Sequence, residues 1–337
     1  MNPHMEPVTH ALASVALGRS GLNKISRAAT PMLIVSGLLA DLDWVTRLGG
    51  ASAFLHGHRT FTHSLVGTAA IAAAVAVAAW IFGRTVQKFS VEFYSALAIC
   101  SVGAGVHLLL DLLNGYGVQL LWPFSAKWIA WDLADSVDSW MLFFLLVGLL
   151  VPELFRLVHE EIGSRSKRNG RQRGAIFGLV CVLLVIAGRW FSHHRAIALL
   201  DAREYRGQTA LAVAAFPRPS NPLAWSGVVE TDNAIFNLEV PLGSGRRFDP
   251  DLADVYYKPQ PSVTLKNAAA SPAAIDFLNF ARFPLANVEP KGDGFEVSFR
   301  DMRFESDLPG RRGVIAVVEL NAQNQVIGEH FEFDPSQ

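Results

Sequence analysis

Residues 56–83 read HGHRTFTHSLVGTAAIAAAVAVAAWIFG, and this stretch decides the fold. Its second part, Leu65–Gly83, is apolar, carries no charge and is long enough to cross a bilayer, which takes about 20 residues. Its first part places three histidines within eight residues, directly before the apolar segment. The stretch therefore predicts a membrane helix with ionisable side chains at its entrance.

The composition of the whole chain agrees with a membrane protein. Of its 337 residues, 51% are hydrophobic and only 18% are charged, which is too apolar for an ordinary soluble protein. Three further segments have the length of a span: Tyr94–Leu113, Ser139–Phe155 and Gly174–Phe191. Val8–Gly18 and Pro31–Ala40 are shorter, so the sequence leaves open whether they cross or form a hairpin that enters the membrane incompletely.

The character of the chain changes after Phe191. Short alternating runs bounded by Gly, Pro and Asn are typical of strands, and they include 227–230, 234–238, 294–299 and 313–320. We therefore expect a mostly α protein, in which a polytopic helical membrane bundle is followed by a small β-rich soluble domain. The predicted boundaries are 1–192 for the helical membrane domain, which carries the metal site, and 193–337 for the β-rich domain.

Basic residues in the loops predict the orientation. They concentrate in three places: Arg156–Arg173, Arg84 with Lys88, and Arg19 with Lys24 and Arg27. Short loops rich in Lys and Arg stay in the cytoplasm. This places the protein in the inner membrane as a multi-pass protein, with Asp41–His63, Asn114–Asp138 and the C-terminal domain on the extracytoplasmic side.

The same topology gathers His and Asp side chains at one end of the bundle. His107 and Asp111 are spaced i, i+4, so both project from one face of their helix. Ionisable groups in a span are rare and usually mark function. The predicted metal ligands are His10, Asp43, His58, His63, His107 and Asp111, and the predicted catalytic residues are Asp41 and Arg59.

Imidazoles and carboxylates together suit Zn²⁺ or another divalent ion, and this set could hold one to three ions. A bound metal lowers the pKa of water to about 7 and so supplies a nucleophile. Asp41 and Asp43 would diverge on a helix, so one of them can ligate while the other orients a ligand. Arg59 suits a phosphate, because guanidinium pairs bidentately with its oxygens; alternatively, Arg59 is the structural partner of Asp111.

Other polar residues have simpler interpretations. We interpret Ser64 as the N-cap of the first long span rather than as a nucleophile, and His56 as a loop residue outside the metal site. Asp132, Asp135 and Asp138 are expected in a solvated outer loop, although one of them could reach the site.

Four strings of this sequence resemble the YdjM-type family of membrane-bound metal-dependent hydrolases: PVTH (7–10), LADLD (39–43), HRTFTHS (58–64) and HLLLD (107–111). The resemblance covers about the first 155 residues. Family members commonly have Pro before the first aspartate, where this chain has Ala40. The family is distantly similar to zinc-dependent phospholipase C, and this implies phosphoester hydrolysis.

The function expected from the sequence is therefore a membrane-bound metal-dependent hydrolase of the phosphoesterase type. Its partners are expected to be the lipid bilayer and a membrane-borne or small phosphoester, such as a lipid or a lipid-linked substrate. The chain has neither an HExxH zinc-protease helix nor a phosphate-binding loop, and its basic loops fit orientation better than nucleic-acid binding. The alternatives are a metal or proton transporter, or a membrane scaffold with a structural metal.

Overall fold

The computed structural model describes residues 6–86, 91–135, 137–161, 169–219, 221–243, 245, 247–305 and 313–333. The chain forms two compact units. The helical unit comprises Pro3–Asp43 and Arg59–Trp190, and the β-rich unit comprises Met1–Asn2, Trp44–His58 and Phe191–Gln337. The predicted fold class, a helical membrane bundle followed by a β-rich part, is confirmed.

The first seven α-helices are α1 (Glu6–Ser20), α2 (Ala29–Leu38), α3 (Gly50–Gly57), α4 (Leu65–Val86), α5 (Phe93–Leu112), α6 (Ser139–Glu161) and α7 (Gly170–Asp201). A 3-10 helix, Leu39–Gly49, joins α2 to α3. By length and composition, α4 to α7 can each cross a membrane, as predicted. Helix α7 continues ten residues beyond the predicted end of its span at Phe191, so the chain enters the β-rich unit as a helix.

Small residues bring α2 and α5 into close contact. A Cβ atom on Gly103 of α5 would lie 2.3 Å from Ser36 Oγ and 2.8 Å from the Leu33 carbonyl oxygen of α2. Glycine at this crossing lets the two backbones approach, as is common between membrane helices. Because Gly103 lies one turn before His107, the crossing fixes the end of α5 relative to the chain that follows α2.

Helices α6 and α7 use the same kind of contact. A Cβ atom on Gly148 would lie 2.6 Å from the Gly174 carbonyl oxygen and 2.9 Å from Gly178 Cα. Gly174 and Gly178 form a GxxxG spacing, which favours close helix association in membranes.

At the other end of this helix pair, Asp138 caps α6 by accepting hydrogen bonds from the backbone N–H of residues 140 and 141, at 3.1 and 3.0 Å.

Charged side chains join the end of α1 to the end of α6 and the start of α7. Glu153 pairs with Arg19 at 3.2 Å and with Arg171 at 2.7 Å. Gln172 donates a hydrogen bond to the Ser20 carbonyl oxygen at 2.7 Å. These basic ends therefore lie together, as expected for segments that share one side of the membrane.

The β-rich unit is built from one hairpin, two antiparallel sheets and short helices. The hairpin pairs β1 (Glu204–Tyr205) with β2 (Gln208–Thr209), and the first sheet has the order β3 (Ala212–Pro217), β4 (Ala224–Glu230), β5 (Ala234–Pro241), β6 (Asp254–Tyr257). The second has the order β10 (Val326–Phe333), β9 (Val314–Leu320), β8 (Gly294–Asp301), β7 (Pro284–Lys291). Helices α8 (Val263–Ala269) and α9 (Pro272–Phe280) pack on β9. The predicted strands are confirmed, whereas the two helices were not anticipated.

Candidate metal centre

Helix α5 supplies the base of the site. His107 and Asp111 project from one face, and His107 Nε2 lies 3.1 Å from Asp111 Oδ2. Both side chains are buried. They lie in the last two turns of α5, so the helix is apolar over most of its length and polar at its C-terminal end.

The segment before α4 brings in His63. Ser64 Oγ accepts a hydrogen bond from Gly67 N at 3.0 Å, so Ser64 caps α4 as predicted. The cap holds the adjacent His63 at the start of the helix, where its Nε2 lies 2.9 Å from Asp111 Oδ2. The same nitrogen lies 3.1 Å from His107 Nε2. Three potential ligand atoms, one from the turn before α4 and two from α5, therefore lie close together.

His10 of α1 and Asp41 of the 3-10 helix complete the group. His10 Nε2 lies 3.5 Å from Asp111 Oδ1, and Asp41 Oδ1 lies 3.7 Å from His107 Nε2. His10, Asp41, His107 and Asp111 each offer one ligand atom, and these four atoms all lie within 4.8 Å of one another. Nitrogen and carboxylate oxygen at such separations are a donor set that divalent metals accept.

The orientation of these atoms also fits a metal. Asp111 Oδ2 is buried, and the Nε2 atoms of His63 and His107 lie 2.9 and 3.1 Å from it. Buried polar atoms at this distance normally align as donor and acceptor. A cation can take the place of the shared protons, and the same carboxylate oxygen and imidazole nitrogens would then be its ligands.

Asp43 lies behind His63. Its Oδ2 is 3.0 Å from His63 Nδ1 and accepts hydrogen bonds from Arg59 N and Thr62 Oγ1, both at 2.8 Å. A carboxylate on the far nitrogen of a metal-binding histidine fixes the tautomer and ring orientation. The geometry thus gives Asp43 the position of an orienting group, which is one of the two roles that the sequence left open for the pair of aspartates.

Arg59 is held against the cluster in an unusual backbone conformation. Its φ is 58°, in the left-handed region that non-glycine residues rarely adopt. Its buried side chain places Nη2 3.0 Å from Asp111 Oδ1, and the guanidinium carbon lies 5.3 Å from the centre of the Tyr116 ring. The structural partnership of Arg59 with Asp111, foreseen as the alternative to phosphate binding, is therefore present.

The cluster carries a net negative charge in the metal-free protein. Three carboxylates, Asp41, Asp43 and Asp111, face one guanidinium, Arg59, which leaves a formal charge of −2 with neutral histidines and −1 when His63 is protonated. Uncompensated buried charge is costly. Burial alone would lower the pKa of His63, but hydrogen bonds with Asp111 and Asp43 outweigh burial and raise it from 6.5 to about 9. Burial and the neighbouring His107 lower the pKa of His10 to about 4.

His56 and His58 both belong to the β-rich unit. The ring of His58 stacks on Phe54 at the end of α3, with centroids 4.5 Å apart. Its assignment as a ligand stays a prediction. His56, expected in a loop, instead lies in α3, and its Nε2 is 3.0 Å from Asp276 Oδ2. The small and apolar residues before it, GASAFL, form the first turns of this helix, which was not predicted from the sequence.

The expectation of a solvated outer loop was wrong for Asp132 and Asp138, whereas Asp135 is partly exposed. Asp132 and Asp138 are buried, and Asp138 forms an ion pair with Arg189 of α7. A small cavity beside the cluster is lined by Thr9, His10, Asp111, Asn114, Asp135 and Asp138. The sequence allowed that one of these aspartates could reach the site, but it did not predict the ion pair with Arg189, although an arginine inside the predicted α7 span was a signal that a carboxylate approaches it.

Comparison with known proteins shows the family of the chain. A family model described as YdjM inner membrane protein matches residues 5–196, which include every predicted site residue. The uncharacterized protein YfhP of Bacillus subtilis (strain 168) is 24% identical over 155 residues. That match covers 44% of this chain and 46% of YfhP, so the chain spans under half the length of this relative. No solved structure gives a significant match.

Proposed function

The chain belongs to the YdjM inner membrane protein family, and from this premise we propose that its helical unit is a metal-dependent phosphoester hydrolase. The observation that carries the proposal is the meeting of His63 Nε2, His107 Nε2 and Asp111 Oδ2 within 3.1 Å of one another. The chain is a multi-pass membrane protein in which His10, Asp41, His107 and Asp111 form a group that could hold a metal ion. We propose the hydrolytic activity and the identity of the metal.

His10, His63, His107 and Asp111 hold the ion, and Asp41 completes its surroundings. Zn²⁺ fits a set of nitrogen and carboxylate donors best. When bound, it supplies Lewis acidity and a water whose pKa is lowered to about 7. Asp43 acts through His63 as a positioning residue, so its proposed role differs from the ligand role that the sequence suggested.

Asp41 is the most accessible acidic group of the cluster. Its side chain is 14% exposed, compared with 4% for Asp43 and 4% for Asp111. Substrate therefore approaches from the side of Asp41, where this carboxylate can accept a proton from the attacking water. Arg59 is buried beside Asp111, with Nη2 3.0 Å from Asp111 Oδ1, and its proposed role is to stabilise the negative charge of the phosphate in the transition state.

Apolar side chains beside the cluster favour a lipid or lipid-linked substrate. Leu42, Phe61 and Leu65 are about half exposed or more, and each lies within two residues of Asp41 or His63. A substrate with an acyl or isoprenoid chain could rest on them while its phosphate enters the site. The basic loops favour a site, and a β-rich unit, on the extracytoplasmic side of the inner membrane.

A transporter is the main rival. It would need ionisable groups along a continuous path. In the described part of the bundle, the core between α2, α4 and α5 is apolar and contains Leu33, Val75, Ala76, Ile99 and Cys100. A scaffold with a structural metal would need a closed set of protein ligands, whereas the exposure of Asp41 leaves one side accessible. Both observations favour the hydrolase.

The test is turnover by the full-length protein, reconstituted in lipid and loaded with Zn²⁺. Phospholipid, isoprenoid phosphate and bis(p-nitrophenyl) phosphate are offered to the wild type, to Asp111→Ala and to Arg59→Ala and Arg59→Lys. We expect Asp111→Ala to abolish turnover and Arg59→Ala to reduce it by roughly 100-fold with metal retained. Arg59→Lys should rescue partly, because an ammonium keeps the charge and loses the planar fork. His330→Ala, on exposed β10, is the control. Absence of cleavage by metal-loaded wild type would contradict the proposal.

A further inference from the structure

A second cavity lies at the end of the helical unit away from the metal cluster. It has a volume of about 500 Å³ and opens between α2 and α4. Met32 and Val35 of α2 form one wall, and Val75 and Phe82 of α4 form the other. Arg27, just before α2, is the charged residue of its lining. We call this cavity the α2–α4 groove.

The groove follows from the unequal lengths of the two helices. Helix α2 has 10 residues and α4 has 22, so at 1.5 Å per residue α4 is about 18 Å longer. The lining of the groove comes from the first turns of α2 with the residues before it, from the second half of α4, and from Val91. Val35 and Phe82 are half exposed or more, although both are apolar.

The groove has the size and chemistry of a ligand site. Its volume falls within the range of about 300–1,000 Å³ of small-molecule pockets, which are mostly apolar with a few polar groups. In a bilayer, apolar walls of this kind face hydrocarbon. Across the residues that the structure describes, Arg27 has no ion-pair partner. The groove therefore presents an apolar channel with a single unpaired positive charge at one place.

We propose that the α2–α4 groove binds one anionic phospholipid, with an acyl chain along Val35, Val75 and Phe82 and its phosphate at Arg27. Charge complementarity selects an anionic headgroup over a zwitterionic one. The basic loops place this end of the bundle at the cytoplasmic leaflet, whose anionic lipids attract Lys and Arg. This binding site is independent of the metal centre and of its proposed activity.

The test measures the melting temperature of the full-length protein in dodecyl maltoside, with added phosphatidylglycerol or phosphatidylcholine. Binding stabilises the folded state, so we expect phosphatidylglycerol to raise Tm by about 3 °C and phosphatidylcholine or inorganic phosphate to leave it unchanged. Native mass spectrometry gives a second readout, in which one phosphatidylglycerol should stay bound.

Two variants remove the site in different ways. Arg27→Gln removes the charge, and Ala78→Trp fills the groove from an exposed lining position on α4. Both should lose the Tm shift and the retained lipid. The matched controls are Lys24→Gln, another exposed cation of the same connection, and Ala73→Trp, an exposed position of α4 outside the lining. Equal shifts with both lipids, or full lipid retention by Arg27→Gln and Ala78→Trp, would overturn the proposal.

Discussion

The Nε2 atoms of His63 and His107 lie 3.1 Å apart, although 44 positions separate the two residues in the sequence. One histidine precedes the first long apolar helix and the other lies near the end of the second. Two imidazole nitrogens this close share either a hydrogen bond, in which one Nε2–H donates to the other Nε2, or a common cation. The predictions below follow from this relationship and from the contacts that maintain it.

The glycine crossing of α2 and α5 should control the metal site from a distance. Gly103→Ala adds a methyl group 2.3 Å from Ser36 Oγ, so the helices must separate. We expect a loss of about 1–3 kcal/mol in stability, as for other overpacked positions, together with weaker metal binding. Gly105→Ala is the matched control, because a Cβ there meets no atom within 4 Å. Similar melting temperatures and metal affinities for the two variants would contradict the role of this crossing.

Asp43 should affect metal affinity without being required for metal binding. Asp43→Asn keeps the shape of the side chain but weakens the hold on His63 Nδ1, which lies 3.0 Å away. Loss of such an orienting carboxylate typically costs about 10–100-fold in affinity. Titration with Zn²⁺ against a competing chelator measures this. A loss as complete as that of Asp111→Ala would instead make Asp43 a direct ligand.

Stability of the metal-free protein should depend on pH through His63. Its pKa in the folded protein is raised from 6.5 to about 9, so the folded state binds this proton more tightly. The resulting stabilisation is fully present below pH 6.5 and is lost as pH rises towards 9. Melting temperatures at pH 6.5 and 9 in excess chelator should therefore fall more steeply for wild type than for His63→Gln. Identical slopes would show that His63 is not held by Asp43 and Asp111.

Sidedness can be tested with single cysteines in a variant that lacks Cys100 and Cys181. Gly170→Cys begins α7 at the basic end of the bundle, and Lys266→Cys is exposed on α8 of the β-rich unit. An impermeant maleimide added to intact spheroplasts should label Lys266→Cys alone. Labelling of Gly170→Cys alone would place the β-rich unit, and with it our proposed extracytoplasmic site, in the cytoplasm.

Much of the helical unit was predictable because its signals are local. Length and hydropathy identified α4 to α7, and the i, i+4 spacing placed His107 and Asp111 on one face. Because the His and Asp residues lie at the same ends of these segments, the sequence also predicted one cluster. The sequence pattern does not specify which helices become neighbours. It therefore did not predict the glycine contact between α2 and α5.

The misses have physical reasons as well. Asp138 looked solvated because it lies between two spans, but it caps α6 and pairs with Arg189, so its charge is satisfied while buried. Helices α8 and α9 were overlooked among strand signals. Ser262 and Ser271 cap them, and Pro272 opens α9, so their start signals were present in the sequence.

The most direct test of the account is the metal content of the purified full-length protein. Elemental analysis of wild type, His107→Ala, Asp111→Ala and the surface control His330→Ala compares the proposed site with an unrelated histidine. We predict at least one Zn²⁺ or other divalent ion per chain in wild type and in His330→Ala, and its loss from His107→Ala and Asp111→Ala. Equal metal content in all four proteins, or no metal in wild type after purification without chelator and reloading with Zn²⁺, would contradict the central claim.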